Sequence, residues 1–490
     1  MASELVTTAC SSFRAVGKSL KIINKYLPIE TPSTASIRQW VYRLGYYELI
    51  EQLNLKRAHF KRANWVLIAD FTAQIGTYKC FIVLGIRLDK LKSCQWHLSH
   101  QDVTLLGLEL WEHPNGEKVF QCLEKISTQV GVPVQIVVDG ASDLNKGVNL
   151  FCERHPKTQV FYDISHKLAC LLEKYLKDDE DWNLFVNSVS TAKAQSQQTM
   201  LTCLTPPQLR TKARYMNLHT MVRWAVRILK FREKNNFEGL GLGFGFDEPG
   251  FKNLVLNLET RFQEQEFNLE EAQINKLLEC LPNLLTENHR YDRERFYEKL
   301  VSILEPIGID GLEEIILDAA NFGQTKFEEI FGWTCEQSSA IHLYSILLQM
   351  VEFVEEKIKN HGLNRRTVAS CRKQIKELSN CELSHAFGCE VIEFLEQQIQ
   401  KVPLGKTYLA SSDIVESLIG KFKFLNQRVA SIYGLNQSVL LFGTLTAEIT
   451  PKKIKNAMET VSWNKIKQWT HEQIPVSNVA KRYQALFKEE

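Results

Sequence analysis

Three acidic side chains stand where a divalent cation would want them. Asp70 closes the apolar run WVLIAD, Asp139 closes VPVQIVVDG, and Glu416 lies in the helical stretch SSDIVESLIGKFK. Two strand-end carboxylates and one from a distant helix can hold a pair of hard ions, which take oxygen ligands and need few of them. Two such ions about 4 Å apart activate a water or 3′-hydroxyl and relieve charge on a leaving oxygen. That chemistry cuts and joins phosphodiesters. Each acid also has a plainer role open to it. An Asp before Gly turns the chain, and Asp413 with Glu416 has the spacing of a capping box. Asp70 resists this treatment, because a charge in a run that wants burial needs a partner or a metal. Asp143 and Asp163 are rivals to Asp139. Asp143 suits a helix start, and Asp163 ends the next strand and could supplement the site. Asp139 is preferred because it ends the strand expected beside Asp70.

The elements that must position these acids are legible as a change of period. NWVLIADFT, TYKCFIVLGIRL and DVTLLGLELW read as three short strands, with a hairpin turn at Gly76-Thr77. GEKVFQCLEKISTQVG follows as a helix with Val119, Leu123 and Ile126 on one face. VPVQIVVDG is a nearly continuous apolar run, the mark of a strand covered on both faces. A helix over 142–154, a strand TQVFYDI and a helix SHKLACLLEKYL complete the order β-β-β-α-β-α-β-α. Beyond about residue 178 the strands stop and helices with loops run to about 405. GLGLGFGFDEPG (239–250) lacks the lysine-serine ending of a phosphate loop and reads as a turn. The acidic tract EFNLEEAQ reads as a solvated face. On the helix carrying Glu416, positions 416, 420 and 423 share a face. Gly420 leaves the surface between Glu416 and Lys423 bare, so Lys423 could meet a phosphate there.

A chain of 490 residues has room for about three domains. Its 44% hydrophobic and 24% charged content describes an ordinary globular protein. No apolar run is long enough to span a bilayer, and the first residues lack an apolar signal core, so no membrane association is expected. The 12 cysteines form no CxxC pair, which argues against metal ribbons and redox motifs. Cys80, Cys122 and Cys170 read as reduced core thiols. The net charge of +2 hides an asymmetry: residues 1–62 hold ten Lys or Arg against four Glu, hence +6. Such an excess suits a polyanion, or simply a basic solvated surface. Phe13, Val16, Leu20, Ile23 and Leu27 form one helical stripe halted by Pro28. A second helix opens at Thr31-Pro32, buries Ile37, Trp40, Val41 and Leu44, and ends at Gly45. Its other face offers Ser33, Thr34, Arg38, Gln39, Tyr42 and Arg43. The pair fits a helix-turn-helix, or a plain packing hairpin. Lys452, Lys453, Lys455, Lys465 and Lys467 make the helical tail basic.

Further short motifs join the three acids. Asp163-Ile164-Ser165-His166 is similar to the C/D-x-x-H signature that follows the second Asp in the hAT, Mutator and related transposase superfamilies. Arg223-Trp224 is similar to the RW pair of hAT enzymes. Glu416 with Lys423 matches the E-x6-K half of a bacterial insertion-sequence signature, although Leu409 and Ser412 stand where its tyrosine and arginine belong. On these residues the chain resembles a DDE transposase with a ribonuclease H-like catalytic domain. The resemblance implies a mixed five-stranded α/β core of ribonuclease H-like topology, interrupted by a large all-α insertion, plus the N-terminal helix-turn-helix. The expected divisions are a helix-turn-helix domain at 1–60, the first part of the core at 61–178, and an all-helical insertion at 179–407. The Glu416 helix follows at 408–430 and a basic tail at 431–490. The resemblance implies Mg²⁺-dependent cleavage at transposon ends and strand transfer into target DNA. Asp70, Asp139 and Glu416 would be both catalytic residues and ligands of two Mg²⁺ ions, with Mn²⁺ able to substitute. Double-stranded DNA is the implied partner, a homodimer or higher assembly the implied state, and a bacterial cytoplasm beside the nucleoid the implied place. His166 would donate a hydrogen bond or proton near the scissile phosphate, or be a helix-start histidine satisfied by Asp163. Trp224 would stack on an extruded base, or be core packing beside Met221 and Ile228.

Three alternatives stay open on sequence grounds. One is a domesticated, catalytically silent DNA-binding protein that kept the fold. Another is a ribonuclease H-type nuclease acting on RNA–DNA hybrids. The last is a helical scaffold in which the acids are incidental.

Overall fold

Side-chain parity along the strands fixes what each face of the sheet can hold. In the computed structural model, which describes residues 1–51, 64–71, 78–197, 199–208, 218–233, 322–429, 435–447 and 449–476 with isolated positions elsewhere, five strands form one mixed sheet. They are β1 (Trp65–Phe71), β2 (Lys79–Arg87), β3 (Thr104–Trp111), β4 (Gln135–Val138) and β5 (Gln159–Tyr162). Their spatial order is β3-β2-β1-β4-β5. β1 pairs antiparallel with β2, and β2 with β3, whereas β1–β4 and β4–β5 are parallel. The parallel pairs need crossovers, and helices supply them. The turn expected at Gly76-Thr77, the glycine-rich stretch 239–250 and the tract EFNLEEAQ lie outside the described residues.

The helices are α1 (Ala2–Thr7), α2 (Phe13–Ile23), α3 (Thr34–Tyr46), α4 (Leu88–Ser93), α5 (Gly116–Val130), α6 (Ser142–Arg154) and α7 (Ile164–Leu176). After them come α8 (Glu180–Ser196), α9 (Leu218–Glu233), α10 (Phe322–Phe331), α11 (Trp333–Glu336), α12 (Ser338–His361), α13 (Arg365–Leu378) and α14 (Glu382–Gln400). The last are α15 (Asp413–Val429), α16 (Leu435–Leu445), α17 (Pro451–Thr460) and α18 (Trp463–Gln473). The expected order of strands and helices from β1 to α7 holds, with the short α4 added between β2 and β3. No described helix is long and apolar enough to cross a membrane.

The chain divides into two compact units, 1–171 with 350–490, and 172–349. In the first unit, Trp65, Leu67 and Ala69 of β1 and Ile136 and Val138 of β4 pack under α5 and α6. The opposite parity, Val66 and Ile68 of β1 with Val137 of β4, packs against Val415, Leu418, Ile419 and Phe422 of α15. Phe13, Val16 and Leu20 of α2, Ile37 and Val41 of α3, and Leu440 and Leu441 of α16 belong to that same core. The N-terminal helices therefore share one core with the sheet and the C-terminal helices, where the sequence suggested a separate module.

Several details of the N-terminal reading are corrected. Tyr42 is 1% exposed, with its ring edge-on to Phe13, so it packs inward and is not part of the outward face of α3. Arg43 is half-buried, whereas Arg38 and Gln39 remain exposed. Leu27 lies beyond the end of α2 and is 59% exposed. Gly45 does not end its helix. It lies inside α3, where α16 crosses so closely that a Cβ would fall 1.9 Å from the Leu440 carbonyl oxygen. Thr444 of α16 donates from its hydroxyl to the Val41 carbonyl at 2.8 Å at the same crossing. Gly45→Ala must therefore push the helices apart and should cost about 1–3 kcal/mol, read as a lower unfolding midpoint in urea; an unchanged midpoint would contradict this packing. The basic tail is also partly neutralised. Lys453 pairs with buried Glu48 at 2.8 Å, and Lys465 with Glu51 at 3.2 Å. The described cysteines are free; Cys80 and Cys122 are buried as expected, but Cys170 is exposed, on the side of α7 away from Leu168 and Leu172.

Every described secondary-structure element of the second unit is a helix. Trp182 and Phe185 of α8 pack on Tyr344 of α12, and Phe327 and Phe331 of α10 are fully buried. Asp179 caps α8 by accepting from the Trp182 amide at 2.6 Å, and also accepts from the Tyr344 hydroxyl at 3.3 Å. Trp224 of α9 belongs to this packing: its Nε1 donates to the Leu204 carbonyl at 2.8 Å and its ring lies against Phe331 and Trp333. The packing role left open for Trp224 accounts for these contacts. Arg223 is exposed beside it.

Candidate active site

Parity aims two strand-end carboxylates at one helix. Asp70 follows Val66 and Ile68 on the β1 face covered by α15, and Asp139 follows Val137 on the same face of β4. Ala69 and Val138 are the last partners in the β1–β4 register, so Asp70 and Asp139 stand side by side on strands about 4.8 Å apart. Asp70 is 7% exposed. Its pKa is pushed up to about 7, first by burial and then by the Asp139 charge; His166 and a hydrogen bond from the Phe71 backbone pull it back, and Glu416 adds to the push. Asp70, Asp139, His166 and Glu416 thus form one electrostatic cluster.

Asp139 performs its turning role as well: its Oδ1 accepts from the Ala141 amide at 2.9 Å. Gly140 next to it has φ +87°, and a Cβ there would land on the Tyr162 ring, so only glycine fits that turn. Asp143 sits in the first turn of α6, a helix-start acid as its sequence position allowed.

Asp163 is fully buried and organises the opposite side of the site. Its Oδ1 accepts from the His166 amide at 2.7 Å, and its Oδ2 from the Ser412 amide. These amides begin α7 and α15, so one carboxylate caps two helices. Burial pushes its pKa up, while the two amide donors and the His166 charge work against that push. The clamp brings the His166 ring onto α15, where Nε2 lies 3.1 Å from Glu416 Oε1. The helix-start reading of His166 is met at its backbone, which Asp163 satisfies, while its side chain pairs with Glu416. The Glu416 hydrogen bond is the main reason that the His166 pKa rises to about 9, with Asp163 and Asp139 adding to it against burial. His166 is thus an imidazolium at neutral pH.

A histidine raised from 6.5 to about 9 lends the metal-free fold stability that is complete below pH 6.5 and lost as pH rises through 9. Glu416→Gln should move the His166 titration midpoint down from about 9 toward its ordinary value, as read from ring C–H shifts by NMR. A midpoint that stays put would remove Glu416 from that pair.

Asp413 does not close a capping box. Its carboxylate pairs with Lys359 at 2.7 Å, and Lys359 also reaches Glu355 at 3.3 Å. Lys359 and Glu355 were not anticipated, because a Glu and a Lys four apart read as an ordinary exposed helix pair. Ser165 Oγ lies 3.5 Å from Asp413 Oδ1, so this ion pair braces the starts of both α7 and α15. Lys423 is exposed on the Glu416 face of α15, and nothing lies within 4 Å of a Cβ built on Gly420 between them.

The donor set suits a hard divalent ion. Asp70, Asp139 and Glu416 offer only oxygen, and burial with the neighbouring Asp139 charge raises the Asp70 pKa. Among the described residues, no three His, Cys, Asp or Glu side chains stand already arranged as a closed metal-binding group. Glu416 gives Oε1 to His166, so a cation would meet its other carboxylate oxygen or compete with His166 for this one. No family model matches this chain, and no curated protein matches it.

Proposed function

We propose that this chain is a DNA transposase of the DDE class, cleaving transposon ends and joining them to target DNA. One observation carries the reading: Asp70, Asp139 and Glu416, far apart in sequence, share one electrostatic cluster at the carboxyl ends of two neighbouring parallel strands. The strand order β3-β2-β1-β4-β5, with only β2 antiparallel to its neighbours, supports a ribonuclease H-like core. The helical unit 172–349 supports an insertion into that core. Asp70, Asp139 and Glu416 would hold two Mg²⁺ ions, or Mn²⁺ in their place. When bound, the ions would raise the nucleophilicity of an attacking oxygen and neutralise the leaving one.

The remaining work falls to the chain's own side chains. His166 holds a proton beside Glu416 and can present it to a phosphate oxygen once Glu416 turns away. Lys423, across bare Gly420, offers a strand phosphate a cation on the same helix face. Arg38 and Gln39 of α3 stay exposed for duplex DNA, Arg43 less so, while Trp224 and Arg223 support the insertion. The proposed setting is a bacterial cytoplasm near the nucleoid, with two or more copies pairing the element's ends. A second reading, a silent DNA-binding protein, draws on the occupation of Glu416 by His166. Supercoiled plasmid carrying the flanking repeats separates the two. Nicking in Mg²⁺ that stops with EDTA supports the transposase, and binding without any metal-dependent cut supports the silent protein. Equal cutting of an RNA–DNA hybrid would favour the nuclease alternative.

A further inference from the structure

We infer that the exposed face of α2 is a contact surface for the phosphate backbone of duplex DNA, an inference that rests on the DNA-processing function proposed above. Arg14, Lys18, Lys21 and Lys25 follow a 4-3-4 spacing, so they lie on one face within a narrow arc. All four are exposed. The helical turn carries on to Lys25 and beyond, with the Lys25 amide donating to Ile22 at 3.0 Å and the Leu27 amide to Ile23 at 2.9 Å. The stripe is about 16 Å long at 1.5 Å per residue. That length matches roughly five phosphates of one strand at about 3.4 Å each.

Helix stability explains only the C-terminal end of the stripe, where Lys21 in the last turn complements the helix dipole. Residues 11–29 contain no Asp or Glu, and α2 has no acid in its first turn, where an acid would complement the helix dipole. Arg14 stands there instead, unfavourably for the isolated helix. No carboxylate among the described residues pairs with any of the four. An uncompensated row of like charges is repulsive until a polyanion meets it.

The choice of duplex DNA over an anionic membrane follows from the other side of the helix. A membrane-surface helix needs its apolar face free. Here Phe13, Val16 and Leu20 are 3%, 1% and 2% exposed, committed to the protein core, and the exposed apolar side chains, Ile22 with Tyr26 and Leu27 past the helix end, gather at one end and make no full-length apolar face. Three of the four cations are lysines, point charges that contact phosphates without reading bases. Binding through α2 should therefore be indifferent to sequence. It also moves the main DNA contact away from α3, whose outward face has lost Tyr42 to the core.

The full chain carrying Arg14→Gln, Lys18→Gln, Lys21→Gln and Lys25→Gln tests this by anisotropy on a random-sequence duplex from 50 to 200 mM KCl. A control removes the same charge elsewhere on the exposed surface through Lys157→Gln, Lys177→Gln, Lys376→Gln and Lys406→Gln. The stripe variant should bind more than about tenfold more weakly, and its log Kd against log salt slope should fall by about 3.6, near 0.9 per lost contact. The control should change less than about twofold. Equal behaviour of the two variants overturns the inference, as does wild type that ignores duplex yet binds phosphatidylserine vesicles through the stripe. Mg²⁺-dependent nicking by the same preparations keeps the questions apart. Stripe-dependent binding without nicking upholds the surface and removes the transposase, whereas nicking with stripe-independent binding does the reverse.

Discussion

Asp70→Asn should abolish metal-dependent nicking and, in the absence of metal, make the protein more stable. The first effect follows from removing the carboxylate that stands beside Asp139 on the sheet face covered by α15; a loss of about 10³-fold or more is expected for a residue in a cooperating set. The second follows from the environment of Asp70. Its pKa in the folded chain is about 7 against an ordinary 3.8. The ionised form is therefore disfavoured by folding. No such penalty exists below pH 3.8; it grows as pH rises toward 7 and is complete above that. The difference corresponds to at most roughly 4 kcal/mol, with the pull of the neighbouring His166 charge already counted in it. Asparagine has nearly the same shape and no charge. The wild-type protein in EDTA should thus lose thermal stability between pH 4 and pH 7 more steeply than Asp70→Asn, and the variant should melt higher at pH 8. A carboxylate with a purely structural role gives the opposite pattern, with stability lost and activity reduced only in proportion.

Asp163→Ala should be the most damaging single change to the fold of the site. It strands two buried helix-start amides, those of His166 and Ser412, that now share one carboxylate. Losing a buried cap of this kind costs about 3 kcal/mol. Activity should fall on the order of 100-fold even where the protein is fully folded, because His166 and Glu416 both lose their anchor and small displacements are expensive in a preorganised site. Asp163→Asn separates the two effects. It keeps one acceptor oxygen, so it should recover roughly half of the lost stability, and the His166 titration midpoint should drop with the lost negative charge. Urea midpoints and the NMR titration measure these independently. Unchanged stability in both variants would mean that the amides find other partners.

The layout of the candidate site was open to sequence reading because it depends on local periods. WVLIAD and VPVQIVVD show where two strands end, and the parity of Asp70 with Val66 and Ile68 puts its carboxylate on the face that α15 covers. The Glu416-Gly420-Lys423 stripe was equally visible, since a helix imposes it regardless of its neighbours. What escaped notice depends on long-range packing. Gly45 carries the signature of a helix stop, and nothing in its neighbourhood announces that α16 crosses there. Tyr42 and Arg38 lie four apart on one face of a lone helix, and only the packing of α2 on α3 sends Tyr42 inward. The brace of Lys359 on Asp413 joins positions more than fifty residues apart, with no periodicity to betray it. Asp163 was seen as a supplementary ligand, whereas its oxygens are spent on two helix starts.

Anomalous diffraction from crystals grown with Mn²⁺ addresses the cation pocket itself. Peaks bonded to Asp70, Asp139 and Glu416 are the expected result. A map with no anomalous density among these acids at saturating Mn²⁺ would contradict it.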